Sequence, residues 1–256
     1  MTLPILFFWH GPRLGPINAA GLRSFLRHGH PAVLHCYAPP ADVPSGVEIR
    51  DARAVMPEAD LLRHGGRDGV VLAADRFAYR LLAAGFSPYC DADVFCLRPL
   101  TVPDYLFGWE DSRWINQAVL HAPADSELVR RLLAATEDRF FVPPWLPPRR
   151  RWRLAFRRRL GFGVPVEAQD WGVWGPRLLT WVVKDLGLEG EAAPIDLFYP
   201  LHWRHLPLLR DPGLRLADLV TPRTQAIELW NHLAAAEDPP PGSPLAEILG
   251  MTVGGT

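Results

Sequence analysis

The first forty residues constrain the fold of this chain more than any other stretch. Leu3-Pro4-Ile5-Leu6-Phe7-Phe8-Trp9 is an apolar run of strand length, and Gly11-Pro12 and Gly15-Pro16 mark a loop after it. Leu22, Phe25 and Leu26 then recur at helical spacing, with Asn18 as the expected cap and Gly29 as the stop. Val33-Leu34-His35-Cys36-Tyr37 is a second apolar run, closed by Pro39-Pro40. Strand, helix and strand in this order open an α/β fold.

The rest of the chain continues the alternation. Val47-Glu48-Ile49-Arg50 reads as a short strand, and residues 52–68 read as loop and short helix. Asp75 is expected to open a helix carrying Phe77, Leu81 and Leu82 toward a core, with a turn from Gly85 to Pro88. Tyr89 to Phe95 is the next expected strand, then Ile115 to His121. Helices are expected from about Ser126 to Thr136 and from Pro176 to Leu186, the latter ended by Gly187. Ile195 to Tyr199 reads as a late strand, and Gln225 to Ala236 as a final helix or strand and helix, broken by Pro239-Pro240-Pro241-Gly242. No internal repeat or linker divides the 256 residues, so one domain over 1–256 is expected, with a basic amphipathic insertion at about 143–163.

Within this frame Asp91 and Asp93 stand out. They sit at i and i+2 at the end of an apolar run, before Arg98-Pro99 returns the chain to loop composition. Side chains so spaced in a strand share a face. If the chain bends there, the two carboxylates share one divalent cation, and hard oxygen ligands that leave room for a diphosphate suit Mg²⁺ or Mn²⁺. The plainer reading is two solvated acids at a strand end. Like charges this close repel unless a cation compensates.

Bulk composition removes several classes. A formal net charge of −1 leaves no overall basic field for nucleic acid. The three cysteines, Cys36, Cys90 and Cys96, lack metal-ligand spacing and read as reduced thiols of a cytoplasmic protein. The apolar start has no basic n-region, so it reads as a strand and not as a signal peptide. No apolar run is long enough to span a bilayer. Lys184 is the only lysine, a bias toward arginine that suggests a GC-rich bacterial genome.

Arg149 to Leu160 has a composition of its own. Trp152, Phe156 and Leu160 fall on one helix face and arginines cover the other, behind the proline-rich Pro143 to Pro148. This is the pattern of a basic amphipathic helix lying on an anionic membrane, at the inner face for a cytoplasmic protein. The plainer reading packs the apolar stripe on the core and leaves the arginines in water.

Several segments, in order along nearly the whole chain, resemble the bacterial glycosyltransferases of the sugar-binding-region family with a DXD motif. That family is related to yeast mannosyltransferase-like enzymes and, more distantly, to clostridial glucosylating toxins. The matching segments are Phe8 to Arg13, Leu22 to His30, Asp75 to Leu82, Tyr89 to Pro99, Trp114 to Val119, Gly175 to Thr180 and Ala226 to Asn231. The resemblance implies a GT-A fold: a three-layer α/β/α sandwich around a mixed, mostly parallel sheet. It implies a hexosyltransferase that uses Mn²⁺ or Mg²⁺ and a nucleoside-diphosphate sugar, acting with retention on a glycan or lipid-linked acceptor in polysaccharide biosynthesis.

By the same resemblance, Trp9 stacks on the base, Asp75 binds sugar hydroxyls and Tyr89 lines the nucleotide pocket. Asp91 contacts ribose and helps hold the metal, which Asp93 ligates directly, and Asn116 lies near donor or acceptor. Asp170 or Trp171 is a further candidate for the site, Asn231 for a donor-phosphate or metal-shell contact, and Trp230 for a phosphate hydrogen bond through its indole N–H. Glu228 replaces the family's usual histidine as a hard metal ligand. Two further departures stand out. Ala78 occupies the usual arginine position, with Arg76 and Arg80 as neighbouring substitutes, and Phe86-Ser87 occupies the usual Gly-Gly. They sustain an alternative, a degenerate transferase that binds nucleotide sugar or membrane without turnover. A haloacid-dehalogenase-type phosphohydrolase also uses an Asp-x-Asp motif. It wants a downstream lysine and a late acidic pair, and Lys184 lies within an expected helix.

Overall fold

In the computed structural model, which describes residues 2–64, 70–86, 88–231 and 238–253, the expected opening is present. Strand β1 (Ile5–Trp9), helix α1 (Gly15–Arg27) and strand β2 (Ala32–Cys36) follow one another, and β2 lies parallel to β1. β3 (Glu48–Asp51) pairs parallel with β2 at the sheet edge. Its residues are all exposed, and Glu48 and Arg50 form an ion pair there, charges that discourage pairing with another strand.

α2 (Val71–Ala83) leads to β4 (Tyr89–Cys90), which pairs parallel with β1. Asp75 therefore lies in the second turn of α2 and does not open it. β5 (Val94–Cys96), β6 (Leu106–Trp109) and β7 (Ile115–His121) follow. The main sheet has the order β3-β2-β1-β4-β7-β6, with β7 antiparallel to both β4 and β6. It is mixed and mostly parallel, as a GT-A-type fold requires.

Alternation along the strands builds two apolar layers. Leu6, Phe8 and Val33 face α2, α3 (Glu127–Thr136) and α5 (Pro176–Asp185), meeting Phe77, Leu132 and Leu179. Ile5, Phe7 and Leu34 face α1 on the other side, meeting Leu22 and Phe25. Helices on both faces give three layers. A two-stranded ribbon of β5 and β8 (Ala226–Glu228) lies over α1, and α7 (Pro244–Val253) packs against α1 and the ribbon through Leu245 and Ile248.

Three expectations are corrected. The α1 N-terminus is not capped by Asn18, which lies inside the helix and donates to the Leu14 carbonyl at 2.5 Å. Asp42, from the loop after β2, accepts the Leu14 and Gly15 amides instead, so the cap is tertiary. Ile195–Phe198 is a short helix, α6, and not a strand; Pro194 precedes it and its Phe198 is buried under the sheet. Tyr89 to Phe95 is not one strand. β4 and β5 are separate and pair with different partners, because the chain turns between them. Ser87, residues 65–68 and the proposed helix over 232–236 lie outside the described residues.

α4 (Pro148–Arg159) forms where the basic segment predicts it. No helix among the described residues is long and apolar enough to cross a membrane.

Candidate metal centre

The turn between β4 and β5 is Asp91-Ala92-Asp93. The Asp91 amide donates to Ala118 of β7 at 2.8 Å, and the Val94 amide closes the turn onto the Asp91 carbonyl at 3.1 Å. Val94 pairs with Glu228, which brings a third carboxylate alongside from more than a hundred residues downstream. Asp91, Asp93 and Glu228 each offer an oxygen, and these oxygens lie within 4.8 Å of one another.

Each carboxylate is held. The Tyr89 hydroxyl, on a buried ring, donates to Asp91 Oδ1 at 2.7 Å. The Asn231 amide donates to Asp93 Oδ2 at 2.8 Å, and the Leu229 amide to the Asp93 carbonyl at 3.0 Å. Between those two donors Trp230 adopts φ 51°, the one non-glycine left-handed backbone among the described residues. Such a conformation costs energy and persists where its surroundings fix it. The Trp230 indole N–H donates to the Leu201 carbonyl at 3.1 Å and so is directed there as the molecule stands.

Asn116 ties Glu228 to a fourth acid. Its amide nitrogen donates to Glu228 Oε2 at 3.2 Å and to Glu110 Oε2 at 3.0 Å. His202 Nε2 stands 3.7 Å from Glu110 Oε1 and 3.9 Å from Asp111 Oδ2. A fifth acid, Asp75, is buried with Oδ1 accepting from Gln117 at 2.9 Å, while Asp75 Oδ2 and Gln117 Oε1 have no partner among the described residues. Gly175 closes over this pair so tightly that a Cβ there would lie 2.7 Å from the Gln117 amide nitrogen.

These groups repel one another. Burial, then the charge of Asp93, pushes the Asp91 carboxyl up to about 7. Burial, then Asp93, Asp91 and Glu110, holds Glu228 well above the carboxylate range. Burial raises Glu110 to about 7, against the Asn116 hydrogen bond, and burial followed by Asp91 raises Asp75. Among the described residues no arginine or lysine pairs with Asp75, Asp91, Glu110 or Glu228. Three convergent carboxylates, half-buried or buried, fit a hard divalent cation, which would remove the repulsion among them.

The other predicted residues fall in different places. Trp9 ends β1, half-buried, and its indole nitrogen has no partner among the described residues. Asp170 lies apart from the carboxylates, between Arg150 and Arg177 at 3.1 Å from each. Both arginines near Ala78 are engaged within the fold. Arg76 donates to the Thr136 carbonyl and stacks over Trp174 at 4.8 Å, and Arg80 pairs with Asp60 and Glu137. Sequence reasoning missed Glu110 and Gln117 as members of the cluster. A glutamate directly after the apolar run Leu106-Phe107-Gly108-Trp109 was the available signal for the first.

No family profile matches the chain, and neither does any curated protein. Among solved structures it is similar to the PaToxG glycosyltransferase, at 12% identity over 73% of this chain and 71% of that one, with a TM-score of 0.47. So loose a superposition carries no argument, and the functional conclusion rests on the carboxylate site.

Proposed function

We propose that this protein is a metal-dependent glycosyltransferase that moves a hexose from a nucleoside-diphosphate sugar to a glycan or lipid-linked acceptor, with retention. The observation that carries the reading is the convergence of Asp91, Asp93 and Glu228 at the carboxyl end of a parallel-sheet strand. Ligands bind at that end of such sheets.

Asp91, Asp93 and Glu228 hold Mn²⁺ or Mg²⁺, with Tyr89 and Asn116 fixing the orientation of two of them. The cation supplies charge neutralisation for the leaving diphosphate. The bond from the anomeric carbon to the phosphate oxygen breaks, and a bond to an acceptor oxygen forms on the same face. The acceptor proton passes to the departing phosphate oxygen, so no protein base is assigned. Asp75 faces the sugar hydroxyls, Trp9 the base, and Asn231 sits in the second ring of contacts around the metal. Asp170, engaged with two arginines, borders the site at most.

One observation favours a second reading. With Ala78 in place of the arginine, Arg76 and Arg80 are taken up by Thr136, Asp60 and Glu137. Binding without turnover is the result if that arginine is indispensable.

The deciding experiment is calorimetric titration with a panel of nucleotide sugars and free nucleotides, with and without Mn²⁺, beside Asp93→Ala. Metal-dependent binding of one donor that the variant abolishes is expected. Equal heats for both proteins, or no donor binding, would refute the metal site. Slow donor hydrolysis then separates transfer from binding alone.

A further inference from the structure

The apolar stripe of α4 does not pack on the core. Trp152, Phe156 and Leu160 are 68%, 48% and 55% exposed, and Phe162, just beyond the helix, is 70% exposed. The Trp152 and Phe156 rings stack on each other in the open, 5.2 Å apart and 9° from parallel. Only Leu154 is buried as an anchor. The helix is tethered at both ends by ion pairs, Arg150 to Asp170 and Arg158 to Asp138.

We propose that this face docks on an anionic lipid surface. Leaving two aromatic rings, a leucine and a phenylalanine in water costs transfer free energy that insertion among acyl chains recovers. Charge selects the kind of surface. Residues 149–159 carry seven arginines, and no acid occurs between Arg139 and Glu167. Arg149, Arg151, Arg153 and Arg159 have no ion pair among the described residues. A second copy of the chain would oppose these arginines with its own, and like charges across an interface disfavour it. Without the seven arginines the chain is net negative, so a polyanion able to wrap the molecule is repelled elsewhere. A flat anionic bilayer touches this face alone.

The helix is also linked to the segment that leads into β7. Asp170 joins Arg150 of α4 to Arg177, and Arg177 lies 5.9 Å over the Trp114 ring, two residues before Asn116.

Vesicle co-sedimentation tests this without metal or nucleotide sugar, so its outcome is independent of the proposed transferase activity. The wild-type chain is compared on phosphatidylcholine vesicles and on vesicles containing phosphatidylglycerol, at low and high salt. Two variants accompany it: Trp152→Ala/Phe156→Ala/Phe162→Ala, and Arg149→Gln/Arg151→Gln/Arg153→Gln/Arg159→Gln. All substituted side chains are solvent-facing, and an unchanged thermal midpoint confirms folding. Binding is expected only with the anionic lipid, weakened by salt, lost in the aromatic variant and reduced about fivefold per arginine removed. Wild-type and variants that bind alike, or no binding to anionic vesicles, overturn the proposal. So does a wild-type dimer in sedimentation that the aromatic variant turns monomeric, or displacement from vesicles by a short duplex DNA.

Discussion

Gly21 of α1 lies directly against the carbonyl oxygen of Ala92, the residue between the two aspartates. A Cβ on Gly21 would collide with that oxygen and would stand 2.9 Å from the Val94 carbonyl. The helix thus seats the turn that carries Asp91 and Asp93. Ser24, one turn further on, accepts the Cys96 amide at 2.8 Å and secures the exit strand. Gly21→Ala is expected to destabilise the fold by ~1–3 kcal/mol through overpacking. Because the strain falls on the turn, Mn²⁺ affinity should drop as well. Urea unfolding and a Mn²⁺ titration of the same variant check both parts.

Metal-free stability should fall as pH rises. Asp91 and Glu110 have folded-state values near 7, above their ordinary carboxylate range. A group raised on folding contributes stability that is fully present below its unfolded value, near 4, and lost as pH climbs through the folded value. The thermal midpoint of the metal-free protein is therefore expected to decline between about pH 5 and about pH 7.5. Mn²⁺ should raise the midpoint more at the upper end, since the ligands must be ionised to bind it. Scanning calorimetry in the presence of a chelator, then of excess Mn²⁺, reads both trends.

Glu228→Gln separates stability from function. It removes one of the mutually repelling acids while keeping the shape of a buried side chain that accepts from Asn116. The metal-free variant should melt higher than wild type at neutral pH. Its stabilisation by saturating metal, ~2.7 kcal/mol at a hundredfold excess over Kd for an intact site, should vanish. A lower midpoint with metal response retained would place the cation elsewhere.

Asn116→Ala tests the bridge between Glu110 and Glu228. The substitution strips one donor from two buried acids and leaves the Ala118 amide without the Asn116 Oδ1 acceptor at 2.8 Å. Unsatisfied buried polar groups cost ~1–3 kcal/mol each, so a loss of that order or more is expected in chemical denaturation. Asn116→Asp keeps the shape but adds a carboxylate to the cluster, and its penalty should shrink when Mn²⁺ is present.

Residue pattern alone determined the layered α/β plan. Apolar runs of strand length alternate with helical stripes from Ile5 onward, and a strand buried on both faces has few other ways to hide them. The same local logic marked Asp91 and Asp93, an acid pair at an apolar strand end, whereas Glu228 was reached only through the family resemblance of Ala226 to Asn231. It also placed α4 and its aromatic stripe. What pattern could not decide was which side of each element meets what. The cap of α1 comes from Asp42 across a loop, and Ile195–Phe198 coils because Pro194 and a pocket for Phe198 set its path. Asp91 and Asp93 meet through a turn pressed on Gly21, and Glu110 joins them only through Asn116. Arg76 and Arg80 are engaged by Thr136, Asp60 and Glu137, partners that only the packed chain brings to α2. Each of these depends on residues distant in sequence brought within a few ångströms. Hydrogen bonding and charge repulsion act over that range, and only the packed chain sets it.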